Sequence, residues 1–549
     1  MKIIAACLVD FDRGPLGTRA RLEEDLHGAA VLRRTLMRLR AARQVASVHV
    51  LAPAAQKQRA EAAVAGLDVQ VETHEAEPVP WQAYVASARK WSLDAWRGGL
   101  GGTSVFDESL HPWLLAALGR REKADGVVDV PAGAALLDGQ MLDAMIAHYE
   151  QVHEQVRMTF TQAPPGLAAA IYAPALLADL AEANHWPGRM MAYQPAKPAR
   201  DMIMLPCFWP PGLEVRTAAG RCIADTRTAV ERIASILRDV GNGASADRSP
   251  DAATVARWLT EVAAERVGAL PSEVEIELTT DDPLPDSVLR PRGGAVGPRG
   301  PMPDDVFDAV IEELADRDDA RVVLGGFGDP LLADNFARCL QKCRLAGVFA
   351  LAVRTPLVHL DDAALDALLD ARVDVLNVLL DAATPDTYRR VHKADHFERV
   401  TANIDRVLAA HAARRQPQPL VVCEMTKTAE TLADMEAFFY HWVTRTGSAA
   451  VAGPSTYGGR WPDLAVMDMT PPLRSACRRI FARAMILADG RMTVCDQDFR
   501  GDHAVGTVAG STVSEVWRGS ALTALRHAHG VGDWAGCALC PPCRQWHRP

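Results

Sequence analysis

The chain has 549 residues, of which 49% are apolar and 23% charged, and its formal net charge is −10. That length calls for two to four domains, and the composition is that of a soluble globular protein. No basic stripe invites nucleic acid, and no apolar run approaches a membrane span.

The opening residues, Met1-Lys-Ile-Ile-Ala-Ala-Cys-Leu-Val-Asp10, hold too short an apolar stretch for a signal peptide. They read as a buried first strand. A cytoplasmic, reducing setting follows, where disulfides are not the default use of cysteine.

Residues 2–9 predict a strand. A helix follows over 30–42, with Val31, Leu32, Leu36 and Leu39 on one face. Strands are expected at 45–52 and 126–130, and a helix at 141–149. This alternation predicts an open α/β sheet over residues 1–204. The Pro-rich residues 205–212 lead out of that domain. Residues 205–269 read as a linker with helices at 226–239 and 252–267, around a flexible stretch at 241–250.

A second α/β series starts at Pro271. Strands are expected at 274–278, 321–324, 348–353, 373–380 and 420–425. Helices are expected at 304–315, 335–346, 363–370, 397–413 and 430–443. The alternation predicts a full or partial parallel barrel over residues 270–463. Residues 464–549 differ. Two short strands, 484–487 and 491–495, flank Asp489-Gly490, a hairpin signal in which both central residues take positive φ.

Five of the eleven cysteines fall in the last 73 residues: Cys477, Cys495, Cys537, Cys540 and Cys543. Thiolates are soft ligands that favour zinc, copper(I) and iron–sulfur clusters. Spacing alone allows Cys540 to pair with either Cys537 or Cys543. Cys339 and Cys343 lie one helical turn apart and read as core or partly exposed thiols. Cys7, Cys207, Cys222 and Cys423 read as isolated core thiols.

An ordered series of motifs then carries a resemblance. It runs Pro271-Ser-Glu-Val-Glu-Ile-Glu-Leu-Thr-Thr280, Gly325-Gly-Phe-Gly-Asp-Pro-Leu-Leu332 and Leu380-Asp-Ala-Ala-Thr-Pro-Asp-Thr-Tyr388. In the tail it continues with Ile486-Leu-Ala-Asp-Gly-Arg-Met-Thr-Val-Cys-Asp496 and Cys540-Pro-Pro-Cys-Arg-Gln-Trp546. Residues 270–549 resemble radical SAM proteins with a C-terminal SPASM or twitch domain. In that family a loop after the first barrel strand carries Cys-x-x-x-Cys-x-x-Cys, which holds a 4Fe–4S cluster that cleaves S-adenosylmethionine (SAM).

Aligned on Thr279-Thr280, this chain places Asp282, Asp286 and Leu289 at those three positions. Leucine ligates nothing, and carboxylates are hard donors ill suited to a sulfide cluster. Loss of SAM cleavage is therefore expected, and no catalytic residue is assigned. Asp281, Asp282 and Asp286 read as a solvated acidic loop rather than a cation site. The resemblance sets Gly325, Gly326, Phe327, Gly328, Asp329 and Asp381 against bound SAM or a nucleoside, which leaves room for binding without cleavage.

For the tail, the resemblance implies one 4Fe–4S cluster on Cys477, Cys495, Cys540 and Cys543. Cys537 is the alternative ligand and zinc the rival metal. The first 204 residues resemble sugar-nucleotide and cytidylyl transferases through Asp12-Arg-Gly-Pro-Leu-Gly17, the stretch 27–36 and the stretch 127–138. Arg13 and Arg21 are its phosphate candidates. Gly133 or a neighbour stands where that family keeps a metal-binding aspartate, so this half also reads as eroded. The domain order is similar to the spiro-SPASM group of bacterial proteins. The implied function is a scaffold that binds a peptide, protein or small molecule. The alternative is an enzyme, acting by nucleotidyl transfer or SPASM-type radical chemistry.

Overall fold

The computed structural model describes residues 1–75, 79, 81–92, 100, 109–191, 204–240, 250–262, 267–315 and 317–548. Of the stretch expected to be a flexible linker, 241–250, residues 241–249 lie outside them. The chain divides into two compact units, Met1–Ala263 and Ala264–Pro549.

The first unit is built on a seven-stranded sheet. Its strands are β1 (Ile3–Leu8), β2 (Ser47–Pro53), β3 (Gln70–His74), β4 (Gly126–Asp129), β5 (Met158–Thr161), β6 (Ala170–Tyr172) and β7 (Phe208–Trp209). Their order is β3-β2-β1-β4-β6-β5-β7. The first four run parallel, and β6 lies antiparallel to both β4 and β5.

β1 is apolar throughout because both of its faces are covered. Ile3, Ala5 and Cys7 join Leu32, Leu36 and Ile146 in one core; Ile4 and Ala6 join Leu115, Phe160 and Tyr172 in the other. Strand order reverses between β1 and β4. In open α/β sheets a ligand crevice forms beyond the strand ends at such a point. The helices Arg227–Asp239 and Ala252–Glu261 belong to this unit rather than to a linker. Ile233, Ile236, Val255 and Trp258 are buried with the residues of β1. An amphipathic helix needs a core to cover, and this one is adjacent.

The second unit holds a nine-stranded sheet. Six parallel strands come in chain order: β8 (Glu273–Glu277), β9 (Arg321–Gly325), β10 (Ala350–Thr355), β11 (Val375–Leu379), β12 (Leu420–Thr426) and β13 (Ala449–Ala452). Helices Asp304–Glu313, Phe336–Leu345, Asp362–Asp370, Phe397–Arg414 and Met435–Thr446 connect them. β13 does not return to β8, so the barrel is partial. Instead β14 (Arg483–Ile486) lies parallel beside β8, with Ile486 opposite Ile276. β15 (Arg491–Thr493) and β16 (Ala504–Thr507) extend the sheet antiparallel.

The tail is thus continuous with the barrel sheet. The expected hairpin forms, but only Gly490 takes a positive φ, of 81°. Four residues separate β14 from β15, and a loop of that length does not need the two left-handed positions of a two-residue turn. Among the described residues no helix is long and apolar enough to cross a membrane.

Candidate metal centre and barrel mouth

Cys477 precedes the short helix Arg479–Ala482, and Cys495 follows β15. Cys540 and Cys543 lie in two successive turns, closed by Cys540 N–H to the Cys537 carbonyl at 2.9 Å and Cys543 N–H to the Cys540 carbonyl at 3.1 Å. Cys477, Cys495, Cys540 and Cys543 line one cavity. Its remaining wall includes Ile480, Val494, Leu539 and Trp546 on the apolar side, and Arg479 and His529 on the polar side. Cys537 does not line it.

Backbone N–H groups point at three of these thiols. Arg479 and Ile480 serve Cys477, Gln497 serves Cys495, and Gln545 serves Cys543. The last is a 3.3 Å contact to sulfur. Burial nonetheless pushes all three thiols up, so each is held protonated until a metal replaces the proton. Cys537 instead shares a hydrogen bond with the Cys540 thiol. Arg479 pairs with Asp496 at the edge of the cavity. Arg474 donates to the Cys540 carbonyl at 2.7 Å, and its guanidinium lies 4.6 Å over Trp534.

His529 was not visible as a site residue in the sequence. It lies in the helix Ser520–Gly530, whose own sequence carries no cysteine. It is 2% exposed, and burial pushes its imidazole down to about 4. The chemistry of this donor set suits a sulfide cluster: soft ligands, donors to sulfur and apolar walls.

The barrel mouth is a different environment. Asp282 is buried and ion-paired with buried Arg292. Asp286 is exposed, and Leu289 is 2% exposed. The three positions therefore do not share one surroundings. Among the described residues no group of three His, Cys, Asp or Glu side chains is arranged to hold a single metal ion, and the four tail thiols line a shared cavity instead.

The same loop sends two further arginines inward. Arg290 pairs with Asp381. Arg299 forms a two-point contact with Glu277 at 2.8 and 3.0 Å. From β10, Arg354 reaches Glu424 at 3.2 Å. Asp381 also accepts the Thr426 N–H at 2.7 Å, and His392 stands 3.6 Å away. Burial opposes its charge, but Arg290, His392 and the Thr426 contacts outweigh that and hold the carboxyl below its usual range.

The glycine-rich loop packs onto the exit of β8. A Cβ on Gly328 would lie 2.2 Å from the Thr279 carbonyl oxygen. Gly326, at φ 91°, donates its N–H to Glu275 at 2.9 Å, and Phe327 donates to Glu277 at 3.1 Å. Asp329 is fully buried and accepts from Thr355 at 2.7 Å and from the Leu331 N–H at 3.2 Å. Burial pushes its carboxyl up to about 6.

In the first unit, the loop after β1 is occupied by its own contacts. Gln56 donates to Asp10 and Asp12, both at 2.9 Å, and Arg59 spans Asp12 and Glu23. Arg13 is exposed, and Arg21 pairs with Glu24 at 2.6 Å. Gly133 accepts the Ala224 N–H at 2.9 Å, a packing role.

A partial (β/α) barrel carrying a thiol-lined tail module is the class this geometry defines. Residues 261–413 match the family model described as the radical SAM superfamily, and residues 477–544 match SPASM, an iron–sulfur cluster-binding domain. The chain carries a radical SAM domain followed by a SPASM domain. An uncharacterized protein of Treponema pallidum is 25% identical over 289 residues, 51% of this chain and 79% of its own. A probable GTP 3′,8-cyclase of Methanothermobacter marburgensis is 30% identical over 108 residues, 20% of this chain and 34% of its own. Among solved structures, Streptococcus suis SuiB bound to precursor peptide SuiA is 12% identical, covering 54% of this chain and 76% of its own at TM-score 0.39. BtrN in complex with AdoMet and 2-DOIA is 18% identical, covering 50% and 93% at TM-score 0.35. A cytidylyltransferase from Leptospira borgpetersenii is 16% identical, covering 48% and 93% at TM-score 0.33.

Proposed function

We propose that this protein has lost SAM cleavage, keeps one 4Fe–4S cluster in its tail, and uses the barrel to bind a partner. One observation carries the reading. At the loop where the family places three thiolates, the chain has a buried Asp282–Arg292 ion pair, an exposed Asp286 and a buried Leu289. A buried carboxylate set against a buried guanidinium is a hard oxygen donor facing a cation, not a soft ligand for a sulfide cluster.

Cys477, Cys495, Cys540 and Cys543 are the proposed ligands, because they line one cavity and Cys537 does not. Such a cluster supplies one-electron transfer or structural cross-linking. A peptide or protein is the favoured partner class, since SPASM domains accompany peptide modification in their family; a small molecule is the alternative.

The test is iron, acid-labile sulfide and zinc per chain after anaerobic reconstitution, together with a SAM cleavage assay under reduction. About four iron and four sulfide with no 5′-deoxyadenosine is expected. About eight of each, or SAM cleavage, sinks the proposal. One zinc without sulfide makes the tail a structural metal site.

A further inference from the structure

We infer that His529 is a hydrogen-bond donor to the group held by Cys477, Cys495, Cys540 and Cys543; this rests on the cluster reading above. The tautomer follows from geometry. The Cys477 backbone N–H donates to His529 Nδ1 at 3.3 Å. Nδ1 therefore presents a lone pair, and the ring proton sits on Nε2.

That Nε2–H is buried and has no hydrogen-bond partner among the described residues. Native structures rarely leave a buried donor without an acceptor, so an orphan calls for a ligand. The ring lines the same cavity as the four thiols. Polar neighbours in the wall are engaged elsewhere. Gln497 takes the Ser455 hydroxyl, and Gln545 donates its amide to the Pro454 carbonyl at 3.2 Å. Trp534 packs edge-on against the imidazole at 4.9 Å and fixes its plane. Sulfur of the bound group is the acceptor that completes the set.

The consequence is electronic. A donor to cluster sulfur stabilises the reduced, more negative form and raises the reduction potential. His529 is thus a positioning and tuning residue rather than a ligand. It also holds the backbone N–H of Cys477, so one ring touches both the ligand's main chain and the cavity.

The test uses the full chain, reconstituted anaerobically, with His529→Phe and His529→Gln. Both variants are expected to keep the iron and sulfide content of the unaltered chain. The midpoint potential falls in His529→Phe and returns towards the starting value in His529→Gln, whose amide donates. Pulsed EPR of the reduced unaltered chain labelled with ¹⁵N-histidine shows a weak ¹⁵N coupling, which is absent in His529→Gln. Unchanged potential in His529→Phe with full iron content overturns the inference. So does a labelled native chain without ¹⁵N coupling, a readout that needs no variant to fold. Zinc in place of iron and sulfide in the unaltered chain overturns the cluster reading and takes this inference with it.

Discussion

The residue that most alters the barrel mouth is an arginine rather than a missing cysteine. Arg290-Pro-Arg292 stood in the loop for anyone to read, yet the sequence gives no sign that Arg292 turns inward to Asp282. Ion pairing across a fold depends on register, which a linear pattern does not encode. Restoring thiols alone should therefore fail. The triple variant Asp282→Cys, Asp286→Cys, Leu289→Cys is expected to bind no more iron than the parent chain, because Arg292 remains buried in the same space. A doubling of iron and sulfide on reconstitution would contradict this. Arg299 and Glu277 offer an energetic test. Both side chains are almost wholly buried. Removing one partner of such a pair costs about 3–5 kcal/mol, so Arg299→Ala should lower the urea midpoint sharply. Asp329 adds a pH signature. Folded, its carboxyl titrates near 6, against 3.8 in the unfolded chain. The native state holds the proton more tightly, so this share of stability is full below about 4 and is lost as pH rises through about 6. Asp329→Asn, which is permanently neutral, should gain stability over the parent between about pH 4 and pH 7. Parallel urea curves at the two pH values would refute that.

At the scale of elements, the strands and helices of the barrel were legible because each carries its own periodicity. The helix expected at 304–315 is Asp304–Glu313, and the strand expected at 420–425 is Leu420–Thr426. The helix Pro385–His392 was missed; only two of its eight residues are plain aliphatic or aromatic hydrophobes, Tyr388 and Val391. The place of β14 was not legible either. Its pairing with β8 joins residues more than two hundred positions apart, and nothing local announces it. Two predictions belong here. A chain ending at residue 463 leaves the β8 edge unpaired, and edges of that kind associate. Such a chain should elute as aggregate by size exclusion. Gly328→Ala meets the Thr279 carbonyl at a distance no real Cβ tolerates. Overpacking of this sort costs about 1–3 kcal/mol, visible as a lower melting temperature with unchanged tail iron.

At the scale of the molecule, the division into an α/β unit, a barrel and a cysteine tail was readable from alternation and spacing. The assignment of the helices Arg227–Asp239 and Ala252–Glu261 was not, because an amphipathic helix does not say which core it covers. For the tail thiols, spacing left Cys537 and Cys543 open; in the fold Cys543 lines the cavity with Cys477, Cys495 and Cys540, while Cys537 hydrogen-bonds to the Cys540 thiol.

The seam between β8 and β14 has one more consequence. A protein of this design does not hold its two thiol sets at equal risk. Thiols in the loop after β8 serve a reaction, and a chain that gives them up forfeits the reaction while its sheet stays whole. With the proposed cluster bound, Cys477 and Cys495 would anchor the segments on both sides of β14, the strand that pairs with β8. A lineage that drifts away from catalysis can shed the first set and still fold. Under the proposed cluster, shedding the second would loosen the seam between β8 and β14.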